Sequence, residues 1–242
     1  MLALSFLGIA LLYALIGFGG GSSYLALLSI SDFNFLEIPK IALLCNLIVV
    51  SGGSYLYFKK GYLNLKLILP FIVGSIPFAF IGGLYPLTEK YFYIFLSMSL
   101  LLSGIRLLFF VKPYENEPRV PPFFLSFILG SVLGLLSGLV GLGGGIFLSP
   151  LLHQFKWGRP KEIAASASFF IFVNSISGLL GQMTKQFNSE LLSHWPLFLA
   201  VLVGGQIGSR LSVHQKVSSS LIQRATAILI LSIAFKLLMK IF

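Results

Sequence analysis

Apolar residues run along this chain in blocks too long for a soluble core. Stretches of roughly 20 residues with almost no charge read as membrane-spanning helices over Ile38–Phe58, Leu67–Tyr85, Tyr91–Val111, Ile163–Leu180, Trp195–Leu211 and Ser220–Met239. Two other stretches are broken by glycine. Met1–Ile16 leads through Gly17-Phe18-Gly19-Gly20-Gly21 into the short run Ser22–Ile30, and Phe123–Val140 leads through Gly141-Leu142-Gly143-Gly144-Gly145 into Ile146–Leu152. The first run has no basic n-region and its glycines open into more membrane sequence, so it does not read as a cleaved signal peptide. A hydrophilic linker, Lys112–Pro122, stands near the middle.

The segments on either side of that linker resemble each other. Gly17–Gly21 aligns with Gly141–Gly145 at an offset of 124 residues, and Pro39-Lys40-Ile41-Ala42 aligns with Pro160-Lys161-Glu162-Ile163-Ala164 with one insertion. Pro70 and Gly82 stand twelve apart, as do Pro196 and Gly208. These matches fall in the same order, which implies an internal duplication of the kind transporters use. The first repeat covers residues 1–111, the linker 112–122 and the second repeat 123–242.

Composition agrees with the pattern. Of 242 residues 57% are hydrophobic, and only 17 Lys or Arg and 7 Asp or Glu carry charge. Soluble domains devote about a quarter of their residues to charge, so a water-soluble globule is excluded and the chain is expected in the cell membrane, multi-pass, with the lipid bilayer as its solvent. The net charge of +10 raises nucleic acid as a partner, but the basic residues form short clusters between apolar runs, with no basic stripe interleaved with aromatics. No nucleic-acid partner is expected. The single cysteine, Cys45, excludes an internal disulfide and a cysteine-based metal site.

The basic residues also choose between two architectures. If each glycine-broken segment crosses the membrane once, the halves are parallel and Lys and Arg divide 9 against 8. If it turns back, the halves are inverted. One side then collects Lys59, Lys60, Lys66, Arg106, Lys112, Arg119, Lys156, Arg159, Lys161, Arg210, Lys216 and Arg224, and the other keeps Lys40, Lys90, Lys185, Lys236 and Lys240. Cytoplasmic loops carry the excess of Lys and Arg, so the second arrangement is preferred. The expected fold is an all-α membrane protein of two inverted repeats, each a glycine-broken re-entrant helical hairpin plus three transmembrane helices. The linker is cytoplasmic and both termini are outside. The short runs after the glycines reach only about 10–15 Å at 1.5 Å per residue, so their glycine ends fall near the midplane.

Scattered glycines such as Gly74, Gly82 and Gly130 read as close helix packing. Four glycines in five residues are more than packing requires, since each destabilises a helix by about 1 kcal/mol relative to alanine, and unwound backbone is expected at both clusters. The helix restarting after each cluster presents orphan N–H groups and about half a positive charge. Two such N-termini meeting near the midplane make a site for a small anion that needs no buried lysine. The candidate binding residues are Gly19, Gly20, Gly21, Ser22 and Ser23 in the first half and Gly143, Gly144, Gly145 and Ile146 in the second.

Few other polar residues lie inside spans. Asn46, Ser51 and Ser54 share one, and Ser166, Ser168, Asn174, Ser175 and Ser177 share its equivalent. Asn46, Asn174 and Ser177 join the candidates as residues lining the pathway, with interhelical hydrogen bonding as the alternative. Gln182 and Gln206 sit towards span ends and are weaker. Asp32, Glu37, Glu89, Glu162 and Glu190 fall near membrane edges, as do His153, His194 and His214, so no buried proton relay is written here. Gly17–Ser22 is not a dinucleotide fingerprint: it lacks the sixth-position glycine and no strand precedes it. No cofactor or metal is expected.

These residues resemble the sulfite exporter TauE/SafE family, also called the TSUP transporters. The resemblance covers nearly the whole chain. It rests on the two glycine clusters, on Ser149-Pro150-Leu151-Leu152 after the second, and on Lys60-Gly61-Tyr62-Leu63-Asn64-Leu65-Lys66. It continues through Leu69-Pro70, Gly82-Gly83 and the closing run Arg224–Met239. It implies export or uptake of small sulfur-containing or organic anions such as sulfite, thiosulfate or sulfonates, coupled to a proton or sodium ion. In the first half Ser22-Ser23-Tyr24 and Ala26 stand where the second has apolar residues and proline, so the halves are expected to contribute unequally.

An intramembrane enzyme is disfavoured. No serine forms a G-x-S-x-G elbow and no His, Asp or Glu lies deep enough to activate one. A passive channel or a membrane assembly component is the alternative to a secondary transporter. The inverted arrangement predicts that reporter fusions at the C-terminus and within 112–122 report opposite sides of the membrane; same-side signals refute it.

Overall fold

The computed structural model describes residues 1–31, 33–109, 118–185, 189–214 and 219–241. The described residues form helices α1 (Leu2–Leu15), α2 (Gly21–Ile30), α3 (Ile38–Lys59), α4 (Leu65–Leu84), α5 (Glu89–Phe109), α6 (Phe123–Val140), α7 (Gly145–Gln154), α8 (Pro160–Lys185), α9 (Trp195–His214) and α10 (Ser219–Ile241), with a 3-10 turn at Ser189–His194 before α9. No strand occurs among them. Every apolar run became a helix, and both broken stretches became a pair, α1 with α2 and α6 with α7. The largest boundary difference is α8, which outruns the apolar stretch Ile163–Leu180 at both ends. Backbone hydrogen bonding carries it past the last apolar residue, and the Gln182 side chain there donates to the Gly138 carbonyl at 2.7 Å.

By length and composition α3, α4, α6 and residues 160–184 of α8 suffice to cross a membrane. Their outward faces are as apolar as their buried ones. On α4, Leu69, Val73, Ile76 and Phe80 are exposed, as expected where lipid replaces water around the bundle.

Helices come together where side chains are smallest. Gly130, Gly134 and Gly138 recur every four residues along one face of α6. A Cβ at each would strike the carbonyl oxygen of Phe71, Ser75 and Ala79 respectively. The pair α1 and α9 repeats the device: Gly204 and Gly208 lie against the carbonyls of Leu7 and Leu11. With little hydrophobic driving force between helices in lipid, such backbone approach supplies the dispersion contact that holds them. Gly74, Gly82 and Gly130 are therefore packing residues. In both pairs residue numbers rise together, so α6 runs parallel to α4 and α1 parallel to α9.

The helices α3 and α8 cross the other way. Ser54 Oγ meets Ser168 Oγ at 3.0 Å. Beyond one end of the pair Lys161 Nζ lies 5.0 Å over the Tyr62 ring, and beyond the other His194 Nε2 lies 3.6 Å from Glu37 Oε2. Packing is also symmetric under exchange of the halves. α4 packs on α6 and α8 as α9 packs on α1 and α3, while α3 meets α8 and α5 meets α10.

Gly138→Val should destabilise the bundle by roughly 1–3 kcal/mol, the usual cost of overpacking. Gly8 has nothing within 4 Å of an added Cβ, so Gly8→Ala should be neutral or stabilising by up to about 1 kcal/mol. Thermal melting in detergent separates the two, and equal melting temperatures would refute the packing role.

Candidate functional site

Both helix pairs break at glycine. Gly17 and Gly20 sit at φ 82° and 92°, and Gly141, Gly143 and Gly144 at 88°, 75° and 74°. This is left-handed backbone that a side chain would strain. Gly20 and Gly144 are the N-caps of α2 and α7, and no side chain caps either helix.

The two turns converge on Asn46, fully buried near the middle of α3. A Cβ at Gly21 would lie 2.5 Å from Asn46 Nδ2 and 2.8 Å from the Leu142 carbonyl oxygen, and one at Gly143 would lie 2.8 Å from the same nitrogen. A Cβ at Gly19 would strike Asn46 Oδ1. Asn46 Nδ2 donates to the Leu142 carbonyl at 3.4 Å, joining the first half to the glycine turn of the second. Because that carbonyl can only accept, the bond orients the carboxamide. Its Oδ1 is left toward Gly19 with no hydrogen-bond partner.

The hydroxyls that line the space between the turns, those of Tyr13 and Ser22, come from the first half. Tyr13 OH on α1 bonds Ser22 Oγ at 3.1 Å and Ser23 Oγ at 2.7 Å. Tyr24 stacks on Phe6 with ring centroids 4.7 Å apart, and its ring lies where a side chain on Gly20 would go. At the corresponding places after the second turn stand Ile146, Phe147 and Leu148, all buried. The two turns therefore differ in what packs beside them, hydroxyls beside the first and apolar side chains beside the second. The space enclosed between the turns is about 10 Å³, and its lining includes no Lys, Arg, His, Asp or Glu. That is room for about one water, so any larger ligand needs the turns to separate.

The other sequence candidates divide. Ser177 Oγ donates to the Ile76 carbonyl at 2.6 Å, which ties α8 to α4 outside the cradle. Asn174 is fully buried, and its Nδ2 donates to the Phe170 carbonyl in its own helix at 2.8 Å. Gln206 is packed against Gly52. Of the edge residues, Glu162 Oε2 accepts from the Arg159 backbone N–H at 2.9 Å. Asp32 and residues 112–117 of the linker lie outside the described residues.

Sequence reasoning missed Tyr13, Ile171 and Ser175. A Cβ at Gly143 would come within 3.0 Å of Ile171 and 3.3 Å of Ser175 Oγ. Tyr13 left a usable signal, since it and Ser5 are the only polar side chains in α1 and it stands one helical turn before Gly17. Ile171 left none. Tyr13→Phe should cost roughly 1–3 kcal/mol by orphaning buried serine hydroxyls. Adding Ser22→Ala and Ser23→Ala should recover part of it. A thermodynamic cycle by melting tests this, and simple additivity refutes the bridge.

Comparison with known proteins extends this geometry. The family model for Sulfite exporter TauE/SafE matches residues 2–237. The chain is 31% identical over 241 residues to the probable membrane transporter protein y4hK of Sinorhizobium fredii, covering 98% of this chain and 97% of that one. It is 24% identical to the probable membrane transporter protein YunE of Bacillus subtilis, covering 93% and 92%. No solved structure gives a significant match. A full-length match of this kind, on an all-helical apolar bundle, means that the chain belongs to the TauE/SafE family and is a membrane transporter.

Proposed function

We propose that the protein is a secondary transporter of a small anion held between the N-termini of α2 and α7. The observation that carries this reading is the convergence of two glycine-capped helix N-termini on one buried carboxamide, in a cradle lined by no acidic side chain. Each N-terminus contributes about half a positive charge, and glycine lets a ligand reach the N–H groups. The binding set is Gly19–Ser23, Asn46 and Gly143–Ile146. The family's description supports sulfite, or another sulfur-containing oxyanion or organosulfonate, as the substrate.

The packing supports inverted repeats over 1–111 and 123–242. α3 and α8, equivalent in the two halves, run antiparallel. α1 runs with α9, which begins beside His194, and Phe33, just after α2, packs on the His194 ring at 5.1 Å. The first pair thus leaves one side and comes back to it, as a re-entrant hairpin does. α6 runs with α4 in the same way, and Trp157, just after α7, packs on Phe71 at 6.1 Å, near the start of α4. The linker end belongs to this second side, since the Arg119 N–H donates to the Lys156 carbonyl at 2.8 Å. That side carries the larger share of Lys and Arg, so it is the cytoplasmic one. The closed cradle is then an occluded state, and transport proceeds as the hairpins part toward one face and then the other.

In reconstituted vesicles the wild-type protein should carry sulfite saturably and respond to an imposed proton or sodium gradient. Gly20→Val and Gly144→Val should each lower flux by at least about tenfold, a loss near 1.4 kcal/mol, while remaining in the membrane. Full flux in both variants refutes the site. Flux that ignores every gradient indicates a channel, and its absence with all anions indicates an assembly role.

A further inference from the structure

With the cradle taken as the anion site proposed above, its polar atoms constrain the ligand further. We propose that the species bound is an oxyanion with a single negative charge that keeps one proton, such as hydrogen sulfite. Its O–H donates to Asn46 Oδ1, and its charged oxygens face the N-termini of α2 and α7.

The charge follows from what surrounds the site. No Lys, Arg or His lines the cradle, so the positive field comes from two helix ends worth about half a charge each. Together they offset about one negative charge. A dianion would leave its second charge uncompensated, and the Born cost of burying an ion rises with the square of its charge. The interior of this fold can hold a monoanion with dipoles alone. The cradle's lining supplies no side-chain cation to offset the second charge of a dianion.

The proton follows from Asn46. Its Oδ1 is fully buried and unpartnered, and it lies in the space that side chains on Gly19 and Gly21 would fill. The Leu142 carbonyl, 3.4 Å from Nδ2, favours this orientation of the carboxamide, because the opposite one would set two acceptors face to face. A fixed acceptor pointing into an anion site repels a fully ionised oxygen and costs the desolvation of an unpaired polar group. An oxyanion with one O–H turns this repulsion into a hydrogen bond. Tyr13, Ser22 and Ser23 do not discriminate, since a hydroxyl both donates and accepts.

The consequence is a coupling device without a titrating side chain. When the ligand is carried as its protonated monoanion, a proton crosses with it, and a pH gradient drives transport although no carboxylate lines the cradle. Selection of the protonated species takes the place of a proton relay in the protein.

The test is ligand binding to the purified full chain in lipid nanodiscs with three probes. Sulfite provides the protonated monoanion at low pH, methanesulfonate a monoanion of similar shape without an O–H, and sulfate a dianion. Apparent sulfite affinity should be constant near pH 5 and fall by about tenfold per unit as hydrogen sulfite ionises towards about pH 9. Methanesulfonate should bind at least about fivefold more weakly, the loss of one hydrogen bond, with no dependence on pH, and sulfate more weakly still. Asn46→Leu should remove the preference for hydrogen sulfite over methanesulfonate. If that variant binds neither probe, the wild-type pH series and ranking decide alone. A flat sulfite profile, or methanesulfonate or sulfate bound as tightly as hydrogen sulfite, overturns the proposal and leaves the anion site standing. Binding of none of the probes at any pH removes the anion site itself, and the proposal with it.

Discussion

Backbone that leaves helical geometry in the interior of a bilayer must be covered by protein, because lipid offers its N–H and C=O groups no partner. Two glycine turns in this chain meet that condition by covering each other. Gly21 lies against the Leu142 carbonyl, Gly141 against Pro39 and Gly17 against the Ala164 carbonyl, so each turn is enclosed by elements of the opposite half. The close approach of α6 to α4 and of α1 to α9 holds the first member of each pair in place. These reciprocal contacts make the unwound geometry a joint property of both turns, since neither could stay unwound in lipid alone.

The same constraint explains where charge is spent. A lysine buried inside a membrane bundle would be costly, and no lysine lines the space between the turns, where two helix N-termini converge instead. The basic residues behind the net charge of +10 contribute none of the side chains that line the space between the turns. Several polar side chains inside the bundle tie helices together: Ser54 with Ser168, Tyr57 with Ser212 at 2.8 Å, Ser177 with α4 and Gln182 with α6. Asn46 differs in its place, because its nitrogen donates to the opposite turn while its unpartnered oxygen lies against Gly19. The Tyr13–Ser22–Ser23 cluster flanks the first turn with hydroxyls, where Ile146–Leu148 flank the second with apolar side chains.

Much of this was legible in residue order. Apolar run length marked the helices, and glycine density located both breaks to within a residue of the observed N-caps, because helix propensity and hydropathy are local properties. The pairing of Asn46 with a turn nearly a hundred residues away was not legible. Asn46 and Ser177 look alike in sequence, each a polar residue in an equivalent span. Only packing shows one facing the glycine turns and the other facing an α4 carbonyl.

By itself the sequence determined the solvent, the helices and the places where the backbone unwinds, since each depends on the composition of a short stretch. Tertiary structure alone decided which polar side chain meets which turn, that Tyr13 occupies the serines, and that the space between the turns is about 10 Å³. Those outcomes depend on the rotation and depth at which helices lock, and side-chain volumes distributed over the whole bundle set both.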